Sequence, residues 1–205
     1  MSEIPNGWRL SKLHNLSTKI GSGITPRGGR DTYLDKGIPL IRSQNVLVGY
    51  LDLSDVAYIS DEQHQLMEAT RLQPHDVLLN ITGASIGRSC IFPTDIGEAN
   101  VNQHVCIIRT RSELDPYFLC ALLNSDVGQK QIYSYQAGGN RQGLNFAQLG
   151  SFDIPLPPLD EQRKIATILG TWDAAIAREE KLITVLTQQK KGLLQQLLTG
   201  AVRVE

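Results

Sequence analysis

Hydrophobic and polar positions give the chain two textures. As far as about residue 158, short apolar runs alternate with turn signals. Ile38-Pro39-Leu40-Ile41-Arg42, Val77-Leu78-Leu79-Asn80-Ile81 and Val105-Cys106-Ile107-Ile108-Arg109 are rich in Val, Ile and Leu and bounded by turns, which predicts three short strands. Helical periods lie between them. One runs from Asp61 to about Ala69, with Ser60 or Asp61 as its cap. Another opens at Asp115-Pro116, with Phe118, Leu119, Leu122 and Leu123 on one face and the proline where a first turn accepts it. The pattern predicts a mixed α/β (α+β) globular domain over residues 1–158.

The second texture begins after Ile154-Pro155-Leu156-Pro157-Pro158, where three prolines in four positions force an extended path. Asp160 follows as a candidate cap. No proline interrupts the next segment as far as Leu198, and Ile165, Ile168, Leu169, Trp172, Ile176, Leu182, Ile183, Leu186, Leu193 and Leu197 recur at three- and four-residue steps. That stripe predicts one long helix over 159–200, with 201–205 as a tail. A hairpin of two shorter helices broken at Gly170 or Gly192 is the competing reading, although neither glycine has turn residues around it. An unbroken helix of ~38 residues extends roughly 57 Å. A domain of this size has a radius of gyration near ~15 Å. Most of the stripe therefore needs a partner helix, from this chain or another. The dimerisation candidates are Ile165, Leu169, Trp172, Ile176, Ile183, Leu186, Leu193 and Leu197. We expect an antiparallel coiled coil with a second copy, because two-fold symmetry is the commonest closure for such a surface.

Composition narrows the classes. The chain has 205 residues, of which 41% are hydrophobic and 20% charged, so a folded chain is expected rather than a disordered one. No run is long and apolar enough to predict a membrane span, and the first residues lack the pattern of a signal peptide. Three cysteines, Cys90, Cys106 and Cys120, show no CxxC spacing; they argue against a disulfide framework or zinc site and suit a reducing cytoplasm. The net charge of −1 excludes a generally basic coat. The charges are unevenly distributed. Ser17 to Arg30, Val77 to Thr94 and Val127 to Phe152 carry Lys19, Arg27, Arg30, Arg88, Lys130 and Arg141 and no acid, whereas Asp52, Asp55, Asp61 and Glu62 collect elsewhere. Acid-free segments of this kind approach phosphate without self-repulsion, although solvated loops share the pattern.

Catalytic motifs are missing. There is no phosphate-binding P-loop and no nucleophile elbow, and His14, His64, His75 and His104 are scattered. Gly21-Ser22-Gly23 is followed by Pro26, which blocks the helix a dinucleotide site needs. The Asn80-Ile81-Thr82-Gly83 string lacks the paired prolines of a DNA amino-methyltransferase motif. No enzymatic activity, metal or bound cofactor is expected of this chain.

The order of landmarks does resemble a known family. Gly7-Trp8 leads to Gly21-Ser22-Gly23-Ile24-Thr25-Pro26. Then come Gly37-Ile38-Pro39-Leu40-Ile41, the Val77-to-Gly87 run, Asn102-Gln103-His104-Val105, Leu144-Asn145, Ile154-Pro155-Leu156-Pro157-Pro158-Leu159-Asp160-Glu161-Gln162 and the terminal Lys190-to-Gly200 run. Together these resemble the DNA-specificity (S) subunit of type I restriction-modification systems. The resemblance implies a target-recognition domain that reads half of a bipartite site in double-stranded DNA, and a spacer helix. It also implies modification (methyltransferase) subunits that dock on the chain and hold the methyl donor, with a restriction subunit joining indirectly. A typical member has two recognition domains and two helices. This sequence has one of each and no internal repeat, so it looks like a half-length form.

Side-chain chemistry ranks the DNA-contact candidates, since Arg and Lys suit guanine or phosphate, Asn and Gln suit adenine, and Ser and Thr are permissive. They are Lys19, Thr25, Arg27, Arg30, Arg42, Gln44, Asn45, Ser85, Arg88, Gln103, His104, Arg141, Gln142 and Asn145, with the two arginine-bearing Gly-rich loops around Arg27 and Arg141 leading. Asn102-Gln103 reads equally as a structural amide pair. Two other readings stay open. In one, a coiled-coil adaptor does not bind DNA, and so shows no salt-dependent DNA affinity. In the other, an enzyme site is invisible to motifs.

Overall fold

The computed structural model describes residues 4–26, 29–136 and 143–204; the side chains of Arg30 and Asp31 lie outside the described set. The chain enters through β1 (Arg9–Lys12), a 3-10 turn that buries Leu13 and Leu16, and β2 (Ser17–Ser22). Next come β3 (Ile38–Ile41), β4 (Ala57–Ile59) and α1 (Asp61–Leu66). Ser60 caps α1, its side chain accepting from the Gln63 N–H. The central strands follow as β5 (Val77–Asn80), β6 (Ser89–Ile91), β7 (Asn100–Val101) and β8 (Val105–Thr110). In α2 (Pro116–Asn124), the Asp115 carboxylate accepts the N–H groups of Tyr117 and Phe118, and Pro116 occupies the first turn. The remaining elements are α3 (Asp126–Gln136), α4 (Phe146–Gly150), β9 (Asp153–Leu156) and α5 (Leu159–Leu198).

Four strands form an antiparallel sheet in the order β2-β8-β5-β6, and three more form a smaller sheet in the order β4-β3-β7, with β3 and β7 parallel. The central strands read as continuous apolar runs because both faces of the larger sheet are covered. Val77 and Leu79 of β5, with Cys106 and Ile108 of β8, face a core shared with Phe118, Leu119 and Leu123 of α2 and Ile132 of α3. The alternate residues Leu78, Val105 and Ile107 face a second core with Ile41, Val46, Phe92 and Val101. A third cluster joins Leu40, Ala57, Ile59 and Met67. Between β5 and β8, the fully buried Asp76 carboxylate takes a two-pronged bond from Arg109, at 2.7 and 2.8 Å. Gly23 crosses so close to the chain that a Cβ there would lie 1.6 Å from the Val101 carbonyl oxygen, so only glycine fits.

Several expectations are corrected. The acid-free stretches are not single loops, because Ser17–Ser22 is a strand and Asp126–Gln136 and Phe146–Gly150 are helices. The first helix ends at Leu66 and gives way to a 3-10 turn over Glu68–Thr70. Asp160 is not the cap of α5. The helix begins one residue earlier, and the Pro158 carbonyl accepts from Glu161 and Gln162. That helix runs without a break through Gly170 and Gly192, so the hairpin reading is set aside.

The chain divides into two compact units, Met1–Ala166 and Thr167–Glu205. The start of α5 therefore belongs to the globular unit, and Gln162 is the reason. Its side chain is fully buried, donating to the carbonyls of Glu113 (3.0 Å) and Pro157 (2.9 Å) and accepting from the Asp115 N–H (2.8 Å). Ile165 packs on the α2 side of the core beside it. From Thr167 onward the large apolar side chains of α5 are exposed, with Trp172 at 67%.

Removing the Gln162 amide strands three backbone groups. Gln162→Ala is expected to lose about 3 kcal/mol of stability, and Gln162→Glu to recover little of it, because a carboxylate cannot donate to the two carbonyls. Urea unfolding of both variants checks this. Cys90, Cys106 and Cys120 are buried and form no disulfide among the described residues; burial raises Cys90 and pushes Cys106 up to about 12. A thiol reagent should titrate none of the three in the folded chain at pH 8 and all three in urea.

Candidate nucleic-acid interface

The ends of the two sheets gather loops on one rim. Pairing of Ser22 with Cys106, Asn80 with Val105 and Leu79 with Ser89 places the end of β2, the end of β5 and the starts of β8 and β6 at one edge of the larger sheet. Parallel β3 and β7 deliver Ile41 and Val101 to the same edge, and the Asn102 N–H bonds the Ile41 carbonyl. Five segments meet there: 23–26, 42–55, 81–88, 102–104 and 143–145. The Gly23 N–H bonds Asn102, the Ile81 N–H bonds His104, and the Leu144 N–H bonds Ile81.

Two side-chain nodes hold these segments in register. Asn80, fully buried, brings its amide nitrogen within bonding distance of the Ser43 carbonyl (2.8 Å), the Val46 carbonyl (3.1 Å) and Ser85 Oγ (3.1 Å). The second node is Gln103, whose Oε1 accepts from the Thr25 N–H while its Nε2 faces His104 Nε2 at 3.4 Å. On the other side of the ring, His104 Nδ1 lies 2.6 Å from Thr82 Oγ1. A third contact supports the 81–88 turn from beneath, where Gln129 of α3 donates to the Gly87 carbonyl.

The DNA-contact candidates separate against this rim. Thr25, Ser85, Arg88, Gln103 and His104 are brought together on it. Arg88 and Gln103 are exposed, and the Arg88 guanidinium makes no bond to any described residue. Arg42 and Gln44 are also there, but both reach Asp55. Gln44 Nε2 lies 2.6 Å from the carboxylate, and Arg42, lying over the Tyr33 ring, lies 3.4 Å from it and donates to the Asp55 carbonyl. Asn45 is buried, and its side chain is engaged with the Arg42 N–H and the carbonyls of Asp52 and Asp55. Asn145 ends the 143–145 segment as the cap of α4, its side chain closed in a reciprocal pair with Gln148. Lys19 stands apart, toward the opposite edge, opposite Arg109 and bonded to the Ala69 carbonyl. Burial, and then the Arg109 charge, lower its pKa. Arg27, Arg141 and Gln142 lie outside the described residues, as does the side chain of Arg30.

Sequence reasoning overlooked Asn80 as an organiser and Asp55 as a partner of two candidates. The first had a signal: an amide closing an apolar run marks a buried polar group that must find partners. The second had none, since Asp55 meets Arg42 and Gln44 only through the fold of the 42–55 loop. Among the described residues, no three His, Cys, Asp or Glu side chains converge to hold a metal, and no helix is long and apolar enough to cross a membrane.

Comparison with known proteins places this architecture. Residues 5–188 match the family described as the type I restriction modification DNA specificity domain. The chain belongs to that family. It is 30% identical over 207 residues to the MjaX type I restriction enzyme specificity subunit of Methanocaldococcus jannaschii, covering 98% of this chain and 48% of that protein. The EcoKI specificity subunit of Escherichia coli is 26% identical, with 98% and 43% covered. The chain thus spans about half the length of the curated relatives it matches. The fold agrees with a chain solved in a study of type I R-M assembly and conformational transition (TM-score 0.69, 21% identity, 98% of this chain and 47% of that one). It also agrees with the HsdS subunit from Thermoanaerobacter tengcongensis (TM-score 0.62, 21% identity, 95% and 46%). Within the specificity family's string of landmarks, the structure gives Gln162 and Asn102 buried roles; Asn102 is 6% exposed and accepts from the His104 N–H, whereas its neighbour Gln103 is exposed.

The Asn80 node generates a prediction for this specificity domain. Asn80→Ala is expected to cost roughly 2 kcal/mol, since two buried carbonyls lose their donor. Hydrogen exchange should speed up in segments 42–55 and 81–88 and remain slow in α2.

Proposed function

We propose that this chain acts as the sequence-specifying component of a type I restriction-modification complex, with its rim reading one half of a bipartite site in double-stranded DNA. The observation that carries the reading is the convergence of five loops at one edge of a doubly covered sheet, presenting a guanidinium unengaged among the described residues and exposed amides. A rigid sheet holds loops to the tolerance that base-edge recognition demands, and a cation beside amides is the chemistry of phosphate positioning combined with base readout. Membership of the specificity family supports the same direction. The chain itself performs no chemistry in this reading. Methyl transfer belongs to modification subunits that dock on it and bind the methyl donor, and a restriction subunit joins through them.

The rod supplies spacing. Beyond Ala166, α5 exposes Leu169, Trp172, Ile176, Ile183, Leu186, Leu193 and Leu197. A second copy running antiparallel covers these positions and sets two identical reading domains a fixed distance apart, which suits an inverted repeat with a gap. Ile165 is removed from that stripe because it packs on its own domain. The functional division follows the same lines: a recognition domain to residue 158, a spacer and dimerisation helix over 159–200, and a tail over 201–205. A cytoplasmic setting follows from the role.

Co-purification with modification subunits, followed by mapping of methylated sites, tests the whole reading; the expected outcome is a split motif with a constant gap. Arg88→Ala should weaken every duplex alike and lower the salt slope of binding by about one. Arg27→Ala and Arg141→Ala, measured on specific and scrambled duplexes, separate base readers from phosphate contacts. Sedimentation should give a dimer that Leu186→Asp dissociates. A chain whose DNA affinity is absent, or does not change with salt, is the adaptor of the alternative reading.

A further inference from the structure

Within the rim, besides the singly exposed Ile24 and Leu53, one turn holds two large apolar side chains outward. Val48 is 59% exposed and Tyr50 60%, whereas Val46, two residues earlier, is fully buried. A lone exposed apolar side chain is ordinary on a protein surface. These two differ because the turn that carries them is fixed at every level. The Leu47 N–H bonds the Tyr50 carbonyl at 3.1 Å, Gly49 adopts the positive φ of +82° that the turn requires, and its N–H bonds the Ser89 carbonyl at 2.9 Å. Below the tip, Val46 pairs with Leu51, Asn80 holds the Val46 carbonyl, and Asn45 holds those of Asp52 and Asp55. The bond to Ser89 sets the tip beside Arg88, whose guanidinium is unengaged among the described residues.

We propose that the Leu47–Tyr50 turn is an apolar reading tip, with Val48 and Tyr50 contacting the C5-methyl group of thymine in the major groove. The inference rests on the DNA-reading role proposed above and adds to it a class of base contact. In the major groove the thymine methyl is the one apolar feature of a base edge, and donors and acceptors alone do not exploit it. The other polar side chains of the rim supply hydrogen bonds; this turn supplies the complementary surface. Its rigidity means that little ordering entropy is lost on contact. Two side chains fall far short of the ~800 Å² per partner that a stable protein interface buries, so a protein docked on this tip is disfavoured by size.

The test uses the full chain and a duplex selected from a random-sequence pool. Each thymine of the selected duplex is replaced in turn by deoxyuridine, which removes only the methyl group. The unmodified chain is expected to lose about 3- to 10-fold in affinity at one or two positions. Val48→Ala and Tyr50→Ser should bind the selected duplex as weakly as the unmodified chain binds those uracil duplexes, and uracil should cost them nothing further. Both side chains are exposed, so thermal melting should be unchanged; Val48→Thr serves as a second variant with its shape retained. Selective binding without a uracil effect overturns the inference, as does a uracil effect that persists in the variants or an equal loss on scrambled duplexes. If no duplex is selected, the DNA-reading role itself fails, and this inference fails with it.

Discussion

The pairing of β5 with β8 is the constraint on which the rest of the molecule depends. Val77 to Asn80 are buried to the last atom, and Val105 to Ile108 beside them are equally enclosed. Because successive side chains alternate between two separate cores, a slip of one residue would send the set packed on α2 into the core under the smaller sheet, and the reverse. Register is therefore specified twice over. That precision is passed to the strand ends, where Asn80 and His104 lie within bonding reach of the loops. A strand pair with one solvated face would fix these positions less firmly.

Polar groups at the rim divide according to which way they are satisfied. Asn45, Asn80, Asn102 and Asn145 all have their side chains turned to the backbone or to a cap, and they shape the loops. Arg88, Gln103, Val48 and Tyr50 are left outward. Arg42 and Gln44 occupy a middle position. The Asp55 carboxylate, 81% exposed, bridges them from the solvent side and partly neutralises the guanidinium. An incoming phosphate has to displace that carboxylate or leave it in place, so these two residues contribute less to non-specific attraction than their side-chain types suggest. Asp52 adds a second anion to the loop, its carboxyl held below the usual range by the Ser54 N–H. Asp55, one of the acids that collect outside the acid-free segments, thus offsets Arg42 and engages Gln44 within its own loop.

Legibility followed locality. The central strands, the Ser60 cap, the helix opening at Asp115-Pro116 and the long helix are encoded in contiguous residues, and each lies within one or two residues of its expected place. What escaped is non-local or polar. β1 pairs with β9 across more than 140 residues, and no local pattern in Arg-Leu-Ser-Lys announces it. β2 is half polar because it is an edge strand, and α3 and α4 lie in a segment whose lack of acids suggested a loop. The candidate site shows the same division. Residue type put Arg88, Gln103 and His104 among the candidates that the fold places on the rim, but it could not distinguish Asn45, whose amide is buried, from Gln44 beside it, which is exposed.

The long helix combines two kinds of residue under one periodicity, and burial separates them. Gln162 and Ile165 are integrated into the globular unit, so the first turns of α5 are stabilised by tertiary contacts of their own. The stripe from Leu169 to Leu197 continues the same three- and four-residue spacing with no such contact among the described residues. An isolated helix in water gains little from propensity, and most helical stability in proteins comes from covering an apolar face. Glycine at positions 170 and 192 lowers the propensity further, by about 1 kcal/mol each relative to alanine. A methyl group added at either glycine would meet nothing within 4 Å, so close packing inside the chain does not require them. At helical spacing Gly170 has Ala166, Thr167, Asp173 and Ala174 as neighbours, and Gly192 has Gln188, Gln189, Gln195 and Gln196, so both lie off the Leu and Ile stripe. Covering the Leu, Ile and Trp side chains of the stripe, rather than the glycines, is therefore what would stabilise this helix, and that is the demand the proposed second copy meets.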